Sequence, residues 1–348
     1  MSRLHLFPRW LLLSCVVAMV LSCSLAVGQG IGPEMYGMVG RFGMGAPVPT
    51  RVLAMGGFIS CVNDHQFANP AFAAVQDHAS AGVRLTRTDF DAGPAVDSLL
   101  AHYTLPLKPN YSGLQLSFMS VSTFDKEAML PGLGPVAVDM SATALVVDYG
   151  RRINGRLTAG LSILGFEDVG LTLTSGFGPL LGGVDDTADW GFRGGMAYEW
   201  APGDFVGVLY SFSRDSVGFS SMMTQPGAAL GPAPVVQDFS FDSSQLALGV
   251  SRHLAPNLLL AGEYQHGKTE RDGSTRVADT WNFGAEYAVA PGWALRAGAN
   301  DFDFCCGVGW NGSHWRVDYA CLNGWNASDV AQLLGGSVTH SLEVLYTW

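Results

Sequence analysis

Apolar and polar residues alternate with a period of two along most of this chain, and this alternation limits the fold more than any other feature. In one stretch, Trp190 and Met196 fall on one face and Arg193 falls on the other. Because successive side chains of a β-strand point to opposite faces, the pattern predicts strands that are apolar on one side. The same alternation recurs at residues 142–149, 281–289 and 315–319.

An apolar strand face points either into the core of a soluble sandwich or outward into lipid. Here the apolar face carries Trp and Tyr at strand ends, and the opposite face carries glycine and single charges. Aromatic residues ring both interfaces of transmembrane barrels, whose lumen is polar. We therefore predict an all-β protein, a transmembrane antiparallel β-barrel.

The alternating segments number about 14, and short connections between them alternate with long ones. This asymmetry is typical of outer-membrane barrels, whose short turns are periplasmic. Twelve strands remain an alternative, because segment 96–104 alternates weakly and the connection 301–303 is short where a long loop is expected. The predicted strands run over residues 80–88, 96–104, 111–121, 142–151, 156–167, 189–200, 204–213, 245–253, 258–266, 279–289, 293–300, 304–310, 314–321 and 340–348.

The beginning of the chain has the features of an export signal. Two arginines precede an apolar run from Trp10 to Val20, and Ala26-Val27-Gly28 supplies the small residues of a cleavage site. We predict a signal peptide over residues 1–28 and a barrel over residues 80–348. A membrane anchor or a lipidated N-terminus is the alternative.

The last predicted strand ends in Tyr346 and Trp348. A terminal aromatic residue on a final strand is the usual form of the signal that the barrel-assembly machinery reads. Together with the signal peptide and the loop asymmetry, it predicts location in the outer membrane of a bacterial cell. The expected partners there are outer-membrane lipid and the barrel-assembly machinery.

The polar strand faces carry charges that we expect to point into the lumen. An arginine that faced lipid at mid-bilayer would cost roughly 2–4 kcal/mol, so the inward placement follows if the strands are correct. The predicted lumen-facing charges are Asp148, Arg193, Glu199, Glu263, Glu286, Arg296, Arg316 and Asp318.

Composition argues against several other functions. The formal net charge is -11, whereas binding to nucleic-acid phosphates requires a basic surface. The eight histidines lack the spacing of a zinc site, and no nucleophile motif or nucleotide loop is recognisable. We expect no enzyme, no metal, no cofactor and no nucleic-acid partner.

The cysteines leave one covalent question open. Cys305 and Cys306 are adjacent, and a disulfide to Cys321 is possible in an oxidising compartment. Pairing through the turn at Asn311-Gly312 would place Val317 opposite Cys306, which does not favour that bond. The simpler interpretation is that Cys305 and Cys306 are two small residues of a strand, one of which faces lipid.

The segment before the first predicted strand, residues 29–79, is irregular. Its methionines are interleaved with glycines, and Pro47 and Pro49 interrupt any long helix. The segment is long enough to fold back into the lumen as a plug. The alternative is a disordered periplasmic arm.

Within this segment a run begins at Arg51, continues through Met55-Gly56-Gly57-Phe58 and Asn63-Asp64, and ends at Asn69-Pro70-Ala71. This run resembles the N-terminal signature of the FadL-type fatty-acid transporter superfamily, which includes the PorV/PorQ-like proteins. The resemblance implies that the segment forms a hatch inside the barrel. Whether Asn69 contacts a ligand or only shapes the hatch stays open. Residues 296–300, 307–309, 317–320 and 340–342 resemble the last strands of PorV/PorQ-like members.

The resemblance implies two functions. One is passive transport of hydrophobic or amphipathic small molecules such as fatty acids, which suits a plug rich in adaptable methionines. The other is a PorV-like component of protein secretion or cell-surface attachment, with a secreted protein as cargo, and the C-terminal resemblance favours it. A structural barrel with neither function is the third possibility.

Overall fold

The computed structural model describes residues 48–91, 95–123, 127–130, 134–175, 178–184, 190–221, 235–271, 274–301, 303–324 and 337–348. The predicted signal peptide and residues 29–47 of the predicted plug lie outside the described residues. Within the described ranges, no helix is long and apolar enough to cross a membrane.

Sixteen strands lie in the described part of the chain, joined in one sheet. They are β1 (Ser80–Phe90), β2 (Val96–Lys108), β3 (Ser112–Thr123), β4 (Glu127–Leu130), β5 (Gly134–Arg152), β6 (Leu157–Ser175), β7 (Gly178–Val184), β8 (Trp190–Ala201), β9 (Asp204–Ser221), β10 (Val235–Ala255), β11 (Leu258–Arg271), β12 (Ser274–Ala290), β13 (Trp293–Asn300), β14 (Asp303–Asn311), β15 (Trp315–Asn323) and β16 (Ser337–Thr347).

The sheet closes into a barrel because its first strand pairs with its last. β1 runs antiparallel to β16 from Ser80 opposite Thr347 to Phe90 opposite Ser337. Two short strands lie outside this ring: β4 pairs only with β5, and β7 bridges β6 and β9. Sixteen described strands less these two leave a wall of 14, so the predicted 14-stranded antiparallel barrel is confirmed and the 12-stranded alternative is wrong.

The wall is much taller on one side than on the other. β9 and β10 have 18 and 21 residues, whereas β13 has 8. About 9–11 tilted residues suffice to cross a bilayer, so the long strands continue beyond it. Part of the predicted loop 214–244 is therefore strand. Beyond the bilayer the outward residues need not be apolar, so the alternation that predicted the strands ends before the pairing does.

One predicted pairing is wrong. Cys306 lies opposite Cys321, and Val317 pairs with Trp310 instead. The β14–β15 connection closes with a hydrogen bond of 2.7 Å from Gly312 N to Trp315 O, and this turn sets the register of the whole hairpin.

The outer surface of the wall is apolar and is bounded by aromatic side chains. Near the short turns the exposed aromatic residues include Tyr103, Tyr149, Tyr198, Trp293, Trp310, Trp315 and Trp348. Towards the long loops they include Trp190, Trp281 and Phe304. An apolar band between aromatic belts is the exterior of a membrane-spanning barrel, and barrels of this kind lie in the bacterial outer membrane. The protein is an outer-membrane barrel, and the periplasmic location of its short turns stays a prediction.

Candidate functional site

Residues 48–76 lie inside the ring of strands and cross it from one side to the other. Helix α1 (Thr50–Leu53) packs against β14, β15 and β16, and a 3-10 helix (Pro70–Val75) packs against β3, β5, β6 and β8. The apolar residues between them are buried, among them Met55 and Phe58 with 0% and 2% of their surface exposed. We call residues 48–76 the lumenal segment.

Two glycines end α1. Gly56 has φ of 113° and Gly57 has φ of 75°, a conformation that L side chains rarely adopt. The turn lets Gly57 N donate to Val52 O over 2.9 Å, which satisfies a carbonyl at the helix end. The chain is thereby redirected across the lumen.

The lumenal segment lies directly on the backbone of the wall, because glycines line the wall beneath it. A Cβ atom added at Gly284 would lie 1.7 Å from the carbonyl oxygen of Met55, and one added at Gly298 would lie 2.1 Å from it. A residue larger than glycine at either position would displace the segment. The inner-face glycines that alternate with outward apolar residues therefore make space for the segment.

The Asn69-Pro70-Ala71 motif starts the 3-10 helix. Asn69 Oδ1 accepts from Ala71 N over 3.0 Å, and Asn69 Nδ2 donates to Ser60 O over 2.8 Å. The same amide lies 3.3 Å from wall carbonyl oxygens of Met196 and Val208. Asn69 is fully buried, so all of its polar atoms are used within the protein. These contacts favour the structural interpretation of Asn69 over direct contact with a ligand.

Charged side chains join the lumenal segment to the wall near the short turns. Three arginines and three carboxylates alternate in a closed ring, so their charges cancel. We call this set the charge ring. In order around the ring its members are Arg51, Glu286, Arg296, Asp318, Arg316 and Asp64.

Two members of the charge ring belong to the lumenal segment, and both reach the wall. Arg51 donates to both carboxylate oxygens of Glu286, over 2.7 and 2.8 Å. Such bidentate pairs are among the stronger hydrogen bonds in proteins. Asp64 accepts from two nitrogens of Arg316, one of them at 2.8 Å, and lies 3.9 Å from Arg51.

The wall members of the charge ring bind one another as well. Arg296 lies 2.6 Å from Glu286 and 2.6 Å from Asp318, and Arg316 also binds Asp318. The side chains of Arg51 and Glu286 are each 18% exposed and that of Arg316 is 11% exposed. Water therefore reaches one edge of the ring, while its other members are buried.

The arginines keep Asp64 ionised. Burial alone would raise its pKa, but Arg316 and Arg51 outweigh burial and hold the pKa of Asp64 well below its ordinary value. A depressed carboxyl pKa stabilises the folded state above the unfolded pKa, and this stabilisation is lost only as pH falls through the folded value. The Asp64 contacts therefore persist at neutral and mildly acidic pH.

Carboxylates of the wall also bind backbone N–H groups of the lumenal segment. Glu263 accepts from Ile59 N over 2.9 Å and from Ser60 N over 2.7 Å. Glu343 accepts from Thr50 N over 2.7 Å. Each contact satisfies donors that would otherwise be buried without a partner.

The other predicted lumen charges also lie on the inner face, and none of them forms an ion pair with the described residues of the lumenal segment. Arg193 binds Asp148 at 3.0 Å, and both side chains are almost fully buried. Glu199 lies near the short turns, 4.0 Å from Arg152, and accepts from Gly203 N over 3.1 Å. The structure therefore places all eight on the inner face and brings four of them into the charge ring.

Sequence reasoning did not single out Asp64 or Glu343 as wall contacts. Asp64 belongs to the signature run, but an irregular segment offers no periodicity that assigns a direction to its side chain. Glu343 could have been found, because Leu342 and Val344 alternate with it in the last strand. Both of these neighbours are exposed on the outer surface.

The predicted assembly signal lies outside the barrel near the short turns. Trp348 is half exposed, and its ring lies 5.7 Å from that of Tyr346 and 5.8 Å from that of Tyr103. This aromatic cluster covers the seam where the first and last strands meet. Recognition by the assembly machinery stays a prediction.

The barrel is similar to solved bacterial transporters. The Ralstonia pickettii toluene transporter TbuX is 14% identical, with 88% of this chain and 100% of that chain covered and a TM-score of 0.58. The Pseudomonas putida toluene transporter TodX is 12% identical, with coverage of 86% and 97% and a TM-score of 0.55. A Pseudomonas aeruginosa FadL homologue is 12% identical, with coverage of 86% and 98% and a TM-score of 0.58.

No protein-family model matches the sequence, and a search of curated proteins gives no match either. The structural likeness establishes the fold at these low identities. It confirms the FadL-like barrel fold that the N-terminal signature implied, and membership of the superfamily stays a prediction.

Replacing Glu286 with Gln should loosen the lumenal segment without unfolding the barrel. Glu286→Gln removes the bidentate partner of Arg51 and leaves two arginines with less compensating charge. Breaking a buried ion pair costs up to about 3–5 kcal/mol, and partial exposure should keep the loss here below that range. Hydrogen exchange of the purified barrel, followed by mass spectrometry, should show faster exchange at residues 50–64.

Glu199→Gln is the matched control, because Glu199 is also an inward carboxylate near the short turns but contacts only the wall. It should leave exchange at residues 50–64 at the wild-type rate. Equal exchange in both variants and the wild type would show that the charge ring does not hold the segment.

Proposed function

We propose that the protein is a passive outer-membrane transporter for hydrophobic or amphipathic small molecules, with the lumenal segment as its gate. The observation that carries this proposal is a buried segment that crosses the lumen and is held to the wall by ion pairs and hydrogen bonds. Such contacts can be exchanged for water when the segment moves. The likeness to two toluene transporters supports the same function.

An apolar patch on the inner wall favours the binding of a hydrophobic ligand. Ala144, Val146 and Leu164 are buried against one another, with Met119 packed beside them. They lie further from the short turns than Gly150 and Gly160, the wall glycines that contact the 3-10 helix. A ligand entering from the long-loop side would meet this patch before the lumenal segment. Met55 and Phe58 would extend the apolar path once the segment moves.

Cells that carry the protein should take up radiolabelled toluene or oleate faster than cells without it. Val146→Thr keeps the side-chain volume but adds a hydroxyl to the apolar patch, and should slow uptake roughly two- to tenfold. Val147→Thr makes the same change on the neighbouring outward residue and should leave uptake near the wild-type rate. Wild-type uptake at the background rate, with the barrel folded in the outer membrane, would contradict transport.

A second function has one observation in its favour. The tall side of the wall, formed by β5, β6, β9 and β10, continues beyond the length needed to cross a bilayer. A raised wall offers surface to a protein at the long-loop side, as a PorV-like component of secretion or surface attachment would need.

Native mass spectrometry of the purified barrel separates the two functions. Transport predicts co-purified masses of a few hundred daltons, which is the range of single fatty acids. These masses should disappear after mild delipidation. A PorV-like function predicts a protein-sized adduct that survives delipidation. Finding that adduct on most of the barrels would exclude transport as the main function.

A further inference from the structure

Two cysteines are direct cross-strand partners in the β14–β15 hairpin. Cys306 lies opposite Cys321, with regular pairing from Cys305 to Asn311. Directly opposed residues of antiparallel strands have Cα atoms about 4.5 or 5.5 Å apart, depending on the kind of pair. Both separations fall inside the range of about 4.4–6.8 Å that disulfides occupy.

Both side chains lie on the outer face of the wall. Cys306 shares its strand face with the exposed Phe304 and Trp310, and Cys321 shares its strand face with the exposed Tyr319. The neighbouring Cys305 is buried on the inner face, so it points away from Cys321. The adjacent cysteine therefore does not compete for the bond.

The pair belongs to a row of polar residues near the loop ends of the strands. Across the sheet Cys321 lies opposite His340, His340 opposite Arg87, and Arg87 opposite Asp97. One step towards the short turns, the outward row contains Tyr319, Leu342, Leu85 and Leu99. The cysteines therefore lie near the loop end of the apolar band, beside a polar row that continues across β16, β1 and β2.

We propose that Cys306 and Cys321 form a disulfide on the outer face of the barrel. The proposal requires an oxidising compartment, as the outer-membrane location provides, and is independent of what the barrel transports. The bond fixes the register of the hairpin whose inner face carries Asp318 and Arg316 of the charge ring. The chain between the two cysteines contains the turn that joins β14 to β15, so the disulfide would close this turn into a covalent loop.

The oxidant is a protein or small-molecule disulfide, and the exchange is balanced in two steps. The thiolate of one cysteine attacks the oxidant, forms a mixed disulfide and releases one thiol of the oxidant. The second cysteine thiolate then attacks the mixed disulfide, so the Cys306–Cys321 bond forms and the second thiol leaves. The two cysteines lose two protons and two electrons, and the oxidant gains them.

Peptide mapping of the full-length protein tests the bond. The barrel is purified from membranes without reductant, denatured in N-ethylmaleimide and digested with trypsin. Cleavage after Arg296 and Arg316 separates residues 297–316, which contain Cys305 and Cys306, from residues 317–348, which contain Cys321. The expected product is these two peptides joined, two hydrogen atoms lighter than their sum, with one maleimide on the remaining cysteine.

Three variants assign the bond. Cys305→Ser should retain the joined peptides without maleimide, whereas Cys306→Ser and Cys321→Ser should abolish them. Recovery of separate wild-type peptides with maleimide on all three cysteines would overturn the proposal. Joined peptides that persist in Cys306→Ser, or a bond between Cys305 and Cys306, would overturn it as well.

Discussion

The charge ring is the interaction on which the arrangement of the lumen depends. It joins an irregular N-terminal segment to β12, β13 and β15, and its three arginines and three carboxylates leave no net charge in a confined space. A single unpaired member would be costly, because a buried charge needs a partner. The position of Arg51 therefore constrains the path of the whole segment.

The wall supports this arrangement in two further ways. Inner-face glycines such as Gly284 and Gly298 let the segment approach the wall backbone, and buried carboxylates such as Glu263 satisfy its N–H groups. Backbone contact and ion pairing act together with apolar packing, because Met55 and Phe58 share a buried cluster with wall residues such as Leu209 and Leu322.

Periodicity predicted the parts of this protein that depend on local sequence. All 14 wall strands and the inward direction of residues such as Arg193 follow from alternation. Contacts that depend on closure do not: Arg51 and Glu286 are 235 residues apart and meet only because an irregular segment enters a closed barrel. Strand ends were missed where pairing continues beyond the bilayer, and the Cys306 register was missed because it depends on the geometry of one turn.

Single-channel conductance shows whether the lumenal segment closes the barrel. A 14-stranded barrel with an empty lumen is wide enough to conduct ions, since barrel diameter grows with strand number. Wild-type protein in a planar bilayer should show little steady conductance, and a variant that lacks residues 48–76 should show large, stable openings. Equal conductance in the two proteins, with both folded as heat-modifiable barrels, would show that the lumenal segment does not close the barrel.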